Sequence, residues 1–544
     1  MAFYREIHKY KPQDTKSIKR WVFVLYDQLS WLNPLLTPSD SIATPGDSIV
    51  REEICLVFIE TSAKPSKRSY HKQKLVMLLS SMRHFALEAA ELGYSIIYHF
   101  DQVGYANGLN SIAKLYQISA FDCLEIQEYE VEDELKNLGS KLIYHSNNLY
   151  LSSKEDFYEV FPDSKEARKK YLQEKFYRYM RIKLNVLLDP NSPKTNPKPL
   201  GGKWNLDHEN RSNWKKSEST PKPIPWIKPD SITDEVIQLV ENKYADHFGN
   251  LKDFGWPVNR SDALIWLEHF VQHSLINFGK YEDAMDFEEE YLFHSMLSPL
   301  IHLGLLHPLE VVHRVIEEYN KNHSINDPIP LSSIEGFIRQ IIGWREYMRH
   351  VYQENRETYQ STNYFNFTSN LPDLYWNPDL GMACFQSIIS TVLNRGYSHH
   401  ITRLMVLSNF ANLLGVDPHR LNDWFWIAYV DAFEWVVTPN VVGMGTYADG
   451  GICSTKPYVA SANYIKKMAP SYCKNCKYDA TELLGDTACP FNALYWNFIG
   501  ENEEFYSYSG RTDFALANWK TFTDEKKSQI RQQASAIRKK FLNQ

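Results

Sequence analysis

Hydrophobic positions in the first 150 residues fall in short unbroken runs, not in alternation: Trp21-Val-Phe-Val-Leu-Tyr, Ile54-Cys-Leu-Val-Phe-Ile, Tyr94-Ser-Ile-Ile-Tyr-His-Phe, Asp122-Cys-Leu-Glu-Ile and Lys141-Leu-Ile-Tyr. Near-continuous apolar strands separated by helix-like stretches such as His71 to Leu92 predict a doubly wound α/β domain, its parallel sheet buried on both faces. Ligands of such sheets sit outside the carboxyl ends of the strands, which points to Asp27-Gln28-Leu29 and Glu60-Thr61. No G-x-G-x-x-G follows the first strand, so the usual dinucleotide fingerprint is absent. Beyond Asp230 a helical period takes over, in Asp262 to Asn277, Glu288 to Leu305, Pro308 to Asn320, Ser333 to Val351, Phe385 to Asn394, His400 to Leu414 and Asn422 to Val436. The C-terminal half is therefore predicted to be all-α.

Between the halves, prolines 190, 193, 197, 199, 221, 223, 225 and 229 are interleaved with lysines, as expected of an extended basic connector. Within it, Gly201-Gly-Lys-Trp-Asn-Leu-Asp-His-Glu-Asn-Arg211 is too specific for a spacer. The resulting plan is a basic extension over 1–20, an α/β domain over 21–150, a connector over 151–229, a helical domain over 230–510 and a helical tail over 511–544.

Length and charge narrow the class. A chain of 544 residues exceeds one compact core. With 43% apolar and 23% charged residues and no long apolar window, it reads as globular, with no membrane span. The 59 basic against 66 acidic residues give a net charge of −7, which excludes nucleic-acid binding by overall charge and leaves room for a local basic patch. The first 20 residues lack a secretory apolar region, and seven cysteines fit a reducing compartment, so a cytoplasmic monomer is expected.

Cysteine spacing says more than cysteine number. Cys473-Lys-Asn-Cys476 precedes Cys489-Pro490, and a tetrahedral sulfur site needs a fourth ligand, either Cys384 or Cys453. Residues alone leave an iron–sulfur cluster, zinc and an unliganded set open. Cys55 and Cys123 read as buried strand residues.

Several motifs then occur in a specific order: Phe278-Gly-Lys-Tyr-Glu-Asp-Ala-Met285, Leu292-Phe-His-Ser-Met-Leu-Ser-Pro299, Phe337-Ile-Arg-Gln-Ile-Ile-Gly-Trp-Arg-Glu-Tyr347, Tyr397-Ser-His-His-Ile-Thr-Arg-Leu404, Asp431-Ala-Phe-Glu-Trp-Val436, Pro439-Asn-Val-Val-Gly-Met444 and Ala448-Asp-Gly-Gly-Ile-Cys-Ser-Thr-Lys-Pro-Tyr458. From about Trp21 to Trp496 the chain resembles the iron–sulfur branch of the photolyase/cryptochrome superfamily, the bacterial cryptochromes and prokaryotic (6-4) photolyases. The resemblance implies an N-terminal antenna domain, a C-terminal FAD-binding domain, and light-driven repair of (6-4) photoproducts in UV-damaged DNA. The alternative is a signalling cryptochrome with the same cofactors.

It further implies a [4Fe-4S] cluster on Cys384, Cys473, Cys476 and Cys489. FAD is expected on His294, Ser295, Leu297, Ser298, Gln340, Trp344, Arg345, Asp431 and Glu434. By spacing, Gln340 and Trp344 share a helix face, and Ser295 and Ser298 lie in a polar interruption that Pro299 opens in a longer helix. His399 and His400 are the candidates for proton transfer to the lesion, imidazole being the group that titrates near neutrality. Tyr458, Arg211 and Arg403 are candidates for lesion or DNA contact. Asp207, Glu282 and Asp283 are hard-oxygen candidates for Mg²⁺ or Mn²⁺. Trp376 and Trp424 are expected to carry electrons; Phe425 occupies an oxidisable position of relatives, so Trp426 or Tyr429 is expected to substitute. Some relatives place a carboxylate where this chain has Val437. A 6,7-dimethyl-8-ribityllumazine antenna is expected on Asp27, Gln28 and Glu60. Residues 1 to 20 are left without a function.

Overall fold

The computed structural model describes residues 2–36, 50–162, 171–322, 328–508 and 513–542. Five strands, β1 (Arg20–Phe23), β2 (Ile54–Thr61), β3 (Ser95–Asp101), β4 (Phe121–Leu124) and β5 (Leu142–His145), form one sheet in the order β3-β2-β1-β4-β5. Every pairing is parallel. Strand β2 is buried along all but its last residue, as a sheet covered on both faces requires. The topology switches direction at β1, and the carboxyl ends of the strands open toward the helical half.

Helices follow the predicted periodicity with two exceptions. Over 288–305 only Ser298–Leu303 is helical. Before it the Asp286 carboxylate accepts from the N–H groups of Glu288 and Glu289, and Leu292 and Met296 adopt positive φ (45° and 53°). Pro299 thus does not interrupt a helix; it lies in the first turn, where its missing N–H is not needed. The second exception is the stretch expected to run from Asn422 to Val436. It is helical over Pro418–Ala428 and again over Glu434–Thr438, but Tyr429 to Phe433 leaves the helix, with Val430 N–H donating to Gly396 O. Asp431 and Glu434 therefore do not share a helical turn.

The two halves are joined by buried polar contacts. Helix Lys72–Glu91 begins at the seam, where the His71 side chain caps Gln73 N–H and its Nε2 lies 3.1 Å from Leu393 O. A Cβ at Gly249, whose φ is +82°, would lie 2.2 Å from that ring, so only glycine fits. Lys74 Nζ donates to Trp426 O (2.8 Å) and Ala432 O (2.5 Å). The C-terminal helix Asp524–Leu542 buries Ile530, Ala534, Ile537 and Phe541, and Arg538 pairs with Glu501 of helix Pro490–Glu501. The expected boundary at 510/511 lies outside the described residues. Among the described residues no helix is long and apolar enough to cross a membrane.

Asp27 sits at this seam, buried, with its carboxyl pushed up to about 7 by burial and then by the Glu128 carboxylate. Such a group adds stability below its unfolded value near 4, and that stability is lost as pH rises through 7. The Asp27→Asn variant is expected to lose less stability than the parent between pH 4 and 8, with a gap on the order of 2–4 kcal/mol at pH 8. Urea unfolding across that range checks it, and parallel profiles would show that Asp27 ionises as it does in water.

Candidate functional site

The segment 429–433 that leaves the helix carries the central buried carboxylate. Asp431 accepts both guanidinium nitrogens of Arg403 at 3.0 Å and the Ser298 hydroxyl at 2.6 Å, and its backbone carbonyl faces His302 Nδ1 at 3.0 Å. Burial opposes its charge, but Arg403 wins and holds the carboxyl below its ordinary range. Arg403 also lies over the rings of Tyr397 (4.9 Å) and Tyr429 (4.1 Å), and its Nε donates to Ser398 O. It is thus an internal anchor, with 24% of its side chain still exposed.

Among the described residues four helices contain π-helical turns: Phe270–Ser274, Arg339–Arg345, Arg403–Ser408 and Pro439–Gly445. Such turns recur at functional sites because they re-aim side chains. Here they separate Gln340 from Trp344, which α-helical spacing places on one wall: Gln340 donates to Glu282 Oε1 (2.8 Å), and Trp344 Nε1 donates to Asn440 Oδ1 (3.0 Å). Arg345 pairs with Glu346 (2.6 Å) and lies 5.4 Å from the Trp435 ring, which stands 5.1 Å from His302. Its Nε is buried without a partner. Ser298, His302, Arg345, Arg403 and Asp431 thus surround one polar region. Leu297 is buried just before the Ser298 helix and donates to Ser295 Oγ. Glu434 lies apart from the others: its carboxylate accepts from Glu130 N–H, and burial followed by Glu128 raises it to about 7, so it faces the seam with the sheet domain.

The histidines form a second group. His399 is buried and His400 exposed, as adjacent residues at a helix start must diverge. His294, expected beside FAD, instead stacks on His399 with centroids 4.0 Å apart, and its ring nitrogens lie 2.9 Å and 3.0 Å from the carbonyls of Tyr291 and Glu282. Burial and then the neighbouring imidazoles hold His399 well below its ordinary range, so it is neutral at pH 7. The three imidazoles are close enough for a metal, but both nitrogens of His294 face carbonyls. His400 Nε2 lies 3.8 Å from Asp283, and burial, then Cys453, raise the Tyr458 hydroxyl, with lesser influence from Asp207, Arg211 and Asp283. Asp207 pairs with Arg211 and with Arg339 (3.2 Å), and Glu282 accepts from Asn210 (3.0 Å) and lies 3.7 Å from Arg339. Arg339, which sequence reasoning missed although its motif was in view, supplies the positive charge that a divalent cation would bring.

Aromatic rings run inward from the surface. Trp376 is 41% exposed, Trp424 is buried 6.4 Å from it, and Tyr429 lies 5.8 Å beyond, under Arg403. Trp426 points elsewhere, with Arg68 over its ring at 4.4 Å. Of the two substitutes expected for Phe425, the structure puts only Tyr429 on this line.

Cys384, Cys473, Cys476 and Cys489 together line a small cavity with Met382, Tyr472 and Phe491. Burial, then Cys489, Cys476 and Cys473, push the Cys384 thiol well up. Cys453 is remote, with its sulfur 3.7 Å from that of Met348. A larger cavity of about 330 Å³ opens at the strand ends between sheet and helices. Glu60 lines it; Asp27 and Gln28 do not, Gln28 being turned to Leu124 O. Tyr26, Lys64 and Glu128 line it too, Lys64 pairing with Glu128 at 2.5 Å. No local signal marks Glu128, because only the fold brings residue 128 to residue 64.

A family model described as deoxyribodipyrimidine photo-lyase-related protein matches residues 22–256. A (6-4) photolyase of Agrobacterium fabrum is 38% identical over 533 residues, covering 96% of this chain and 99% of that one. Among solved structures, a bacterial class III photolyase from Agrobacterium tumefaciens (13% identity, TM-score 0.52) and a cryptochrome from Synechocystis (16%, TM-score 0.56) each cover 96% of this chain and 98% of their own. They share the fold, a parallel sheet followed by a helical half. With identity at this level over nearly its full length, the chain belongs to the bacterial (6-4) photolyase family of the photolyase/cryptochrome superfamily.

Proposed function

We propose that this protein is a light-driven DNA repair enzyme, a (6-4) photolyase. The reading rests on one observation above the others: His400 stands 3.8 Å from Asp283, and its neighbour His399 accepts from the Arg403 N–H through its carbonyl, beside the pocket built around Asp431 and Arg403, in a chain 38% identical over 96% of its length to a (6-4) photolyase.

FAD fits the region of Ser298, His302, Arg345, Arg403 and Asp431. An unpartnered guanidinium N–H of Arg345 suits a phosphate or ring oxygen, and the Ser298 hydroxyl stands at a helix start. Bound in its reduced form, FAD supplies one electron to the lesion under blue light and recovers it, so the overall reaction is redox-neutral. The protein's share is proton handling and placement. His400, exposed and near Asp283, is the group able to meet a base turned out of the stack, and it moves the proton that hydroxyl migration between two pyrimidines demands. His399, neutral and stacked on His294, holds the rim in position. Asp431, charged and fixed by Arg403, holds a negative charge in a set position that needs no rearrangement. Trp376, Trp424 and Tyr429 form the path by which oxidised flavin is re-reduced.

The four cysteines suit a [4Fe-4S] cluster: their thiols share one buried cavity and repel one another there as thiolates, a repulsion that bound iron removes. The cluster ties helix Ala383–Arg395 to helix Pro470–Lys474 and to the start of helix Pro490–Glu501. The cavity at the strand ends suits a ribityllumazine antenna, with an apolar body for a flat ring and Glu60, Lys64 and Glu128 at its polar margins.

Three outcomes follow. Reduced protein under blue light removes (6-4) products from irradiated oligonucleotides; His400→Ala lowers the rate at least ~100-fold with FAD retained, whereas full binding without any repair by the parent would favour a signalling cryptochrome. Trp424→Phe slows photoreduction of oxidised FAD at least ~10-fold, followed by absorbance, while repair by chemically reduced protein is unchanged. Cys489→Ala yields insoluble or flavin-poor protein, and recovery of folded, flavin-loaded material would refute a structural cluster.

A further inference from the structure

The segment before residue 22, where the family match begins, is built into the antenna cavity. Helix Ala2–Ile7 buries Phe3 and Ile7, and Phe3 meets the Tyr98 ring of β3 edge-on at 4.8 Å. The backbone N–H groups of Ala2 and Phe3 donate to Glu235 (2.7 Å and 3.3 Å). Arg83 lies under both Phe3 (5.0 Å) and Tyr4 (5.4 Å) and pairs with Glu60 at 2.9 Å and Glu235 at 3.4 Å. Tyr4 completes the chain: its ring lines the cavity and its hydroxyl donates to Glu60 Oε2 at 3.1 Å. Burial, then Glu60, push the phenol well above its ordinary range, so it stays a donor.

Glu60, the cavity's carboxylate at the β2 end, thus has one oxygen fixed by Arg83 alone and the other by Tyr4 at 3.1 Å, with two longer bonds from Arg83 (3.3 Å and 3.4 Å). Across the cavity stand Tyr26, Lys64 and Glu128, with Leu75, Leu79, Met82 and Phe433 between the two polar margins. A volume of about 330 Å³ lies near the lower end for organic ligands. It suits one flat heteroaromatic with imide-like N–H and C=O edges and a short hydroxylated chain, and is small for a dinucleotide.

We propose that the N-terminal arm, residues 2–10, is a fixed wall of the antenna site and that Tyr4 is a specificity-determining residue, orienting Glu60 and restricting the cavity to one flat heteroaromatic of two fused rings, not a dinucleotide. The proposal rests on the antenna reading above. Its ordering requirement is met within the fold, because Phe3, Ile7 and the Arg83 network hold the arm before any ligand arrives.

The test uses the full-length, FAD-loaded protein with 6,7-dimethyl-8-ribityllumazine and, separately, excess FAD as probes. Tyr4→Ala is expected to weaken lumazine binding at least tenfold and Tyr4→Phe about threefold, with flavin content and melting temperature unchanged. Hydrogen exchange is expected to rise at 59–64 in Tyr4→Ala but not at 400–414. The parent should hold one FAD per chain in excess FAD. Parent-like lumazine affinity together with parent-like exchange in Tyr4→Ala would overturn the arm's role, as would a second FAD bound by the parent. Failure of the parent to bind lumazine would overturn the antenna assignment instead, while faster exchange at 59–64 in the variant would still support the arm as a wall.

Discussion

The buried ion pair between Asp431 and Arg403 organises everything around it. A carboxylate removed from water is tolerable only if its charge and lone pairs are met, and Arg403, Ser298 and the ring stack beneath Arg403 meet them. The pair draws residues 429–433 out of the helix that their sequence favours. Once free of that helix, the segment serves two sites. Its Asp431 side chain faces the polar region around Ser298 and Arg403, while the Ala432 carbonyl receives Lys74 and Phe433 lines the cavity at the strand ends. One non-helical pentapeptide borders both.

Burial acts with opposite sign on the groups along the seam, and the neighbours decide the outcome. Glu128 stays charged although burial opposes it, because Lys64 lies 2.5 Å away. Asp27 and Glu434, which face that charge without a cation of their own, are raised to about 7. Lys74, held by two carbonyls and no carboxylate, is lowered to about 7 by its own burial. The seam is thus a set of polar groups close to neutrality, which keeps the two halves in register without a large buried charge.

Much of the site was legible because its chemistry is carried by short, ordered motifs. The four cysteines singled out by spacing and resemblance line one cavity, the paired histidines adjoin, and Trp376 lies beside Trp424. The pairing of Arg403 with Asp431 was not legible, because the two lie 28 positions apart and only the fold brings them together. The stacking of His294 on His399 was not legible, because the turns over 288–297 that bring it there carry no periodic signal. Gln340 and Trp344 were paired by α-helical spacing that a π-helical turn then altered.

By itself the sequence determined the two-part architecture, the parallel sheet, the helical half and the types of chemistry present, because these depend on local periodicity and residue identity. The tertiary structure decided which charges are spent on one another: Arg403 on Asp431, Arg339 on Asp207 and Glu282, Lys64 on Glu128. It also decided that an N-terminal arm with no motif of its own closes a cavity through Tyr4 and Glu60. These are contacts between residues tens to hundreds of positions apart, and a linear pattern carries no record of which buried group will find which partner.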